Sequence, residues 1–141
     1  MTTWTPEDLA LLTGSDSLVL TAGDDGHSGV GIGMVVVRGR LYVRAHRGVR
    51  SRWYQAAQQH SHGQIRVGAV THDVLLETRE TGPACEIDAA YRNKYGQAAG
   101  ALVVSPAAHV ATIRIDPAPS ARRDRSPGRP TTEDIVSPDQ E

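Results

Sequence analysis

The sequence predicts a mainly β protein with short helices, an α+β fold in which an antiparallel sheet closes into a small barrel with helices over its ends. Three observations lead to this prediction. Short β-branched segments follow one another in hairpin order, separated by glycine-containing turns. The helical segments are few and short, and no internal repeat is evident. The length of 141 residues is typical of one domain and is sufficient for a buried core.

The first third of the chain predicts one helix followed by strands. Thr5 can cap a helix and Pro6 suits its first position, while Gly14 ends it. A β-branched run then predicts one long strand buried on both faces, in which two glycines permit close approach to the backbone. The predicted strands are residues 18–22, a strand from Val30 to the hairpin turn at Arg38-Gly39-Arg40, and residues 41–44.

The second part of the chain predicts two helices and four more strands. Ser51 lies near the N-cap of the first of these helices, and Gly96 caps the end of the second. The predicted helices are residues 51–60 and 86–95; the predicted strands are residues 64–70 and 74–78 around a turn at Thr71-His72, and residues 101–104 and 111–115, joined through Pro106.

The C-terminal segment differs in composition from the rest. From Pro117 onward, prolines and charged residues dominate and apolar residues are scarce. Such a segment buries too little surface to offset the entropy lost on ordering. We therefore predict one barrel domain at residues 1–116 and a disordered or loosely packed tail at residues 117–141.

Composition excludes several classes of function. The net charge of −1 and pI of about 6.6 argue against non-specific binding to nucleic acid. No apolar run approaches the roughly 20 residues that cross a bilayer, and the N-terminus does not resemble a signal peptide. Cys85 is the only cysteine, so no disulfide forms within the chain. These features predict a cytoplasmic protein without membrane or nucleic-acid partners.

The segment from Gly39 to Trp53-Tyr54 concentrates positive charge in this nearly neutral protein. Five of the fifteen basic residues lie between Arg40 and Arg52. Guanidinium groups beside a helix start suit a phosphate, and the aromatic pair offers a flat surface for a ring. The segment therefore predicts a small-molecule ligand that has a ring and an anionic group. The alternative is a solvated loop whose arginines pair with Asp or Glu.

The order of the motifs resembles a known family. WTPEDL, YVRAHRG, a WY pair and IDAAYRNKYG together resemble the bacterial family DUF2255, which is similar to split β-barrels of the pyridoxamine-phosphate-oxidase and deazaflavin-dependent nitroreductase kind. The resemblance covers residues 4–115, with GHSG at residues 26–29 and AHRG at residues 45–48 as matching stretches. Arg52 and Gln55 stand near positions where the nitroreductase branch has proline and asparagine.

The resemblance implies an FMN-binding-like split antiparallel barrel, a homodimer, and FMN or deazaflavin as cofactor. Related barrels bind haem or no cofactor at all. The implied activity is hydride transfer to or from a small organic substrate, with the chemistry supplied by the cofactor. The implied ligand contacts are Ser28 in the glycine turn, Gly31, Gly33 and Trp53 around the ring, and Arg44, His46, Arg47, Gly48, Arg50 and Ser51 around the phosphate. Tyr91 and Tyr95, one helical turn apart, are candidate catalytic proton donors.

Other interpretations of the same residues stay open. Trp53 and Tyr54 also suit the core or a dimer interface, and the two later tyrosines also suit packing of their helix onto the barrel. His60 and His62 have no second pair at metal-ligand spacing, which disfavours zinc. Two alternative functions remain: a cofactor-free binding module for a small anionic metabolite, and a cofactor-free biosynthetic enzyme that uses the barrel cavity.

Overall fold

The computed structural model describes residues 3–23, 29–80, 82–101 and 103–118, except for the side chain of Ala99. Ser28, most of the GHSG turn and the predicted tail from residue 119 onward lie outside the described residues. In the described part, no helix is long and apolar enough to cross a membrane. The helices are α1 (Pro6–Gly14), α2 (Arg52–His60), α3 (Ala84–Tyr95), α4 (Gln97–Ala101) and α5 (Pro106–Val110); the strands are β1 (Leu18–Ala22), β2 (Val30–Ile32), β3 (Val35–Val37), β4 (Arg40–Arg44), β5 (His62–Val67), β6 (Val70–Glu77) and β7 (Thr112–Pro117).

The seven strands form one antiparallel sheet in the order β2-β1-β5-β6-β7-β4-β3. The two edge strands, β2 and β3, are neighbours along the chain and are connected only by Gly33 and Met34. Three residue steps from Ile32 to Val35 span at most about 11 Å. The sheet therefore curls until its edges approach each other, which makes it a half-barrel. This agrees with the predicted α+β curled sheet.

The cap and turn chemistry of the sequence is confirmed at several elements. The hydroxyl of Thr5 accepts the N–H of Asp8 at the start of α1. Val37 pairs with Arg40 across the predicted hairpin turn. Gly96 follows α3 with a φ of 91°, as its role as a C-cap requires.

The prediction of one long buried strand from Val30 is wrong. The chain forms two short strands at opposite edges of the sheet, and Gly31 at the centre of β2 is exposed. An unbroken apolar run is compatible with one central strand. It is equally compatible with two short strands at opposite edges of the sheet, joined by a short connection. The two glycines mark the place where the chain crosses.

The turn predicted at Thr71-His72 is also wrong. The turn lies at Gly68-Ala69, where Gly68 has a φ of +61° and Val67 pairs with Val70. Glycine adopts this left-handed conformation without the steric cost that a side chain adds. Thr71 and His72 consequently lie within β6.

The strand predicted at residues 101–104 is not formed by the described residues of this range, since Ala101 ends α4 and Val103 lies in a turn. The alanine-rich stretch after Gly96 instead forms α4, as the high helix propensity of alanine favours. Ser105 then caps α5 by accepting the N–H of Ala108 at 3.1 Å. The Ser105-Pro106 pair repeats the Thr5-Pro6 signal that begins α1.

Two apolar clusters lie on the two faces of the curled sheet. The larger cluster lies on one face and includes Leu20, Ile65 and Ile113, together with Tyr54 from α2. The smaller cluster lies where α3 packs, and it joins Val35 and Tyr42 to Ile87 and Tyr91. Helix α3 therefore lies beside the crossing between the two edge strands. This placement creates the cavity described next.

Candidate functional site

A cavity of about 460 Å³ lies where β2, the end of β4, α2 and α3 meet. Its volume falls in the range of about 300–1,000 Å³ that is typical of small-molecule sites. Most of its surface is apolar. The residues that line it are Asp16, Val30, Gly31, Ile32, Gly33, Arg44, His46, Trp53, Tyr91, Tyr95 and Val103.

A second cleft, of about 670 Å³, adjoins this cavity. Residues 45–51, between β4 and α2, form what we call the cationic loop. This loop and the start of α2 line the cleft, through His46, Arg47, Arg50, Ser51, Arg52 and Trp53. His46 and Trp53 line both spaces. We call the first space the apolar cavity and the second the cationic cleft.

Helix α5 packs against the backbone of the cationic loop at Gly48. Gly48 has a φ of +83° and donates its N–H to the carbonyl of Ala45 at 2.8 Å. A Cβ on Gly48 would come within 3.3 Å of the Ala107 Cβ, so the glycine permits both the turn and the packing. Gly48 is buried and lines neither space, in contrast to its predicted contact with a phosphate.

Three arginines of the cationic cleft have no acidic partner among the residues that the structure describes. Within the described residues, no carboxylate lies within ion-pairing distance of Arg47, Arg50 or Arg52. All three are exposed. Other arginines in the same protein do pair, for example Arg38 with Glu86. The cleft therefore presents uncompensated positive charge, which differs from the alternative of a solvated, ion-paired loop.

Arg44 has a different environment from the other arginines of this segment. Its side chain has no exposed surface, although the residue borders the apolar cavity. Its guanidinium pairs with Asp88 and donates to Thr112 Oγ1 at 3.1 Å and to the carbonyl of Val103 at 2.9 Å. These internal bonds occupy the group that was predicted to bind phosphate. In this structure Arg44 connects β4 to α3 and β7.

Asp88 links Arg44 to His109. The Nε2 atom of His109 lies 2.9 Å from the same carboxylate oxygen that receives Arg44. Burial alone would raise the pKa of Asp88, but the hydrogen bonds and charges of Arg44 and His109 outweigh it, so the pKa lies below its ordinary value. The charged carboxylate is thus the stable form, and the network joins α3 to α5 behind the cationic loop.

The two glycines predicted to face a ring are not equivalent. A Cβ built on Gly31 meets nothing within 4 Å, and Gly31 lines the apolar cavity. A Cβ on Gly33 would lie 3.1 Å from the Tyr95 hydroxyl. A Cβ at Gly31 would therefore meet open space, whereas the Cβ direction of Gly33 is occupied by Tyr95, although Gly33 also lines the cavity.

Tyr91 and Tyr95 use their hydroxyls to hold the backbone. The Tyr91 hydroxyl accepts the N–H of Arg44 at 3.1 Å, and the Tyr95 hydroxyl accepts the N–H of Met34 at 2.9 Å. Tyr95 also donates to the carbonyl of Asp16 at 2.6 Å. Burial raises the pKa of both phenols, which makes them weaker acids. These contacts favour a structural role over proton donation, and the catalytic role stays a prediction.

Removing the Tyr95 hydroxyl is expected to destabilise the protein. In Tyr95→Phe the buried N–H of Met34 loses its acceptor, which costs about 1–3 kcal/mol of unfolding free energy. Denaturant unfolding checks this, with Tyr54→Phe as the control because its hydroxyl makes one longer bond, of 3.3 Å, to Val110. If Tyr95→Phe were as stable as the wild type, the hydroxyl would be available for a ligand.

Several residues of this region were not identified from the sequence. Asp88 lies on the same face of α3 as Tyr91 and Tyr95, at spacings of three and seven residues, so helical periodicity was a usable signal for it. Asp16 lies in a loop between α1 and β1, where no local pattern distinguishes it. Val103 reaches the cavity from the segment that was predicted to be a strand.

Comparison with known proteins supports the family that the motifs resemble. No curated protein and no solved structure matches this chain. The model of one family, described as an uncharacterized protein conserved in bacteria (DUF2255), matches residues 9–115. This range includes every described strand except the last two residues of β7, and it contains both the apolar cavity and the cationic cleft. The chain therefore belongs to the DUF2255 family.

Proposed function

We propose that this protein binds a flavin or deazaflavin phosphate and acts as an oxidoreductase that transfers hydride to or from a small organic substrate. The ring occupies the apolar cavity and the phosphate occupies the cationic cleft. On this proposal the half-barrel is a split barrel of the FMN-binding kind, the protein is a homodimer, and it works in the cytoplasm.

One observation carries the proposal: an apolar cavity adjoins a cleft whose arginines pair with no carboxylate of the described part of the chain, and His46 and Trp53 line both. A ligand that fills both spaces needs a flat apolar body joined to an anionic group. Flavin and deazaflavin phosphates have this shape and charge. The arrangement supports a two-part ligand better than it supports a small anion, which has no use for the apolar cavity.

The residues have separate tasks in this proposal. Arg47 and Arg50 hold the phosphate by charge-assisted hydrogen bonds, with Ser51 and the first N–H groups of α2 beside them. Trp53 and the open backbone at Gly31 flank the ring. When bound, the cofactor supplies the hydride chemistry. The protein orients the ring and excludes water from its apolar surroundings.

A titration monitored by fluorescence quenching tests the proposal, with FMN, 5-deaza-FMN and riboflavin as probes. We expect saturable binding of the two phosphates, and weaker binding of riboflavin because it leaves the arginines without a partner. Gly31→Val should reduce the affinity for all three by about tenfold or more, since Gly31 lines the cavity and a Cβ at this position meets no protein atom within 4 Å. Its melting temperature should match that of the wild type.

The outcomes separate the candidate functions. If none of the three probes binds at tens of micromolar, the redox proposal is wrong, and a cofactor-free role of the cavity becomes the leading hypothesis. If inorganic phosphate or a small anionic metabolite binds with the affinity of FMN, the protein is a binding module for anions. Equal affinities for riboflavin and FMN would mean that the arginines do not contact the phosphate.

A further inference from the structure

We propose that Asp16 is a specificity residue, which selects ligands that have an N–H donor at the end opposite their anionic group. The inference rests on the proposed function and extends it to the part of the ligand that lies farthest from the phosphate. The site would then have a cationic end, an apolar middle and an anionic end. Its ligand class is a planar molecule with one anionic substituent and an N–H edge.

The carboxylate of Asp16 is available for a ligand. Asp16 borders the apolar cavity and its side chain is exposed. Within the described residues, the carboxylate makes no hydrogen bond or ion pair. The ammonium of Lys94 lies near enough for its charge to interact with that of Asp16, but it donates its hydrogen bonds to the carbonyls of Leu12 and Met34, at 3.3 and 2.9 Å. Among the described residues that line the cavity, Asp16 is the only acidic one.

Helix α3 places Asp16 away from the cationic loop. The Tyr91 hydroxyl bonds to the N–H of Arg44, two residues before His46, whereas the Tyr95 hydroxyl bonds to the carbonyl of Asp16. The two tyrosines are one helical turn apart, which is about 6 Å along the axis. The backbone of Asp16 is therefore held at the Tyr95 end of the cavity, and the cationic cleft begins at the other end.

This arrangement of charge selects among ligands. A carboxylate accepts an N–H strongly, because the bond is charge-assisted. It repels a second anionic group placed at the same end, so the site discriminates against dianionic molecules with charge at both ends. Flavins and deazaflavins carry an N–H at position 3 of their pyrimidine ring, remote from the phosphate. This N–H is the donor that we assign to Asp16.

The experiment compares FMN with N3-methyl-FMN on the wild type, Asp16→Ala and Asp16→Asn. The wild type should prefer FMN by about three- to tenfold, a modest factor because the carboxylate is exposed. Asp16→Ala should lose that preference, and Asp16→Asn should retain part of it, since its amide oxygen still accepts a hydrogen bond. Glu7→Ala, at an exposed acidic residue outside the cavity, is the matched control and should behave as the wild type.

Each outcome decides between the two proposals. Equal affinity of the wild type for both flavins overturns the role of Asp16 and leaves the binding of flavin intact. A preference that persists in Asp16→Ala shows that the methyl group is rejected sterically, which also overturns the inference. If the wild type binds neither FMN nor 5-deaza-FMN, both this inference and the proposed function are wrong.

Discussion

Replacing Arg44 by methionine is expected to lower the unfolding free energy by about 3 kcal/mol, because the change removes the guanidinium partner of a mostly buried carboxylate and leaves it only the contact with His109. Asp88 would lose the guanidinium, and Thr112 and the carbonyl of Val103 would each lose a donor. Equilibrium unfolding in denaturant measures the loss. This effect would identify Arg44 as part of the framework of the site.

Arg38→Met is the matched control for this substitution. Arg38 also pairs with a carboxylate, that of Glu86, but both side chains are largely exposed, so we expect a much smaller loss of stability than for Arg44→Met. If Arg44→Met had normal stability and bound FMN poorly, the internal network would be dispensable and Arg44 would be a phosphate ligand after all.

The dependence of stability on pH provides a second test of this network. The folded pKa of Asp88 lies below its ordinary carboxyl value of about 3.9, so its contribution is complete above that value and is lost as the pH falls through the folded pKa. In Arg44→Met the main group that lowers this pKa is absent. The variant should therefore lose less stability on acidification than the wild type does.

The double variant Arg47→Ala, Arg50→Ala is expected to bind FMN at least about 100-fold more weakly than the wild type, on the condition that the bound phosphate buries both charge-assisted bonds, each of which then contributes about 1.5–3 kcal/mol. Both side chains are exposed and unpaired within the described residues, so the melting temperature should not change. Titration with FMN at two salt concentrations measures the effect, and the wild-type affinity should fall with salt more steeply than that of the variant.

Two controls isolate the phosphate contact. Riboflavin should bind the double variant and the wild type alike, because it carries no phosphate. Arg66→Ala removes an exposed arginine of β5 that does not line the cleft, and it should leave FMN binding unchanged. Normal FMN affinity in the double variant would rule out the cationic cleft as the phosphate site.

Local chemistry in the sequence was enough to predict many individual elements. The Thr5-Pro6 cap, the hairpin at Arg38-Gly39 and the cap at Gly96 depend on interactions between residues close in the chain. The density of arginine around His46 likewise predicted a cationic loop directly before a helix. Such features need no knowledge of distant contacts. The signals of α4 and α5 are also local: an alanine-rich stretch favours α4, and the Ser105-Pro106 pair begins α5.

Only the tertiary structure determined which of the candidate residues face a common space. Gly31 and Gly33 are two residues apart, yet one borders open space and the other packs against Tyr95 from a helix some 60 positions later. Arg44 and Arg47 lie three residues apart in the same basic segment. Arg44 is buried and pairs with Asp88 on α3, whereas Arg47 is exposed. The sequence by itself determined the cationic loop and its turns, since these rest on local conformational preferences. The cavity, the position of Asp16 beside it and the hydrogen bonds of the two tyrosines depend on contacts between distant segments, which form only when the sheet curls and α3 packs beside the connection between β2 and β3.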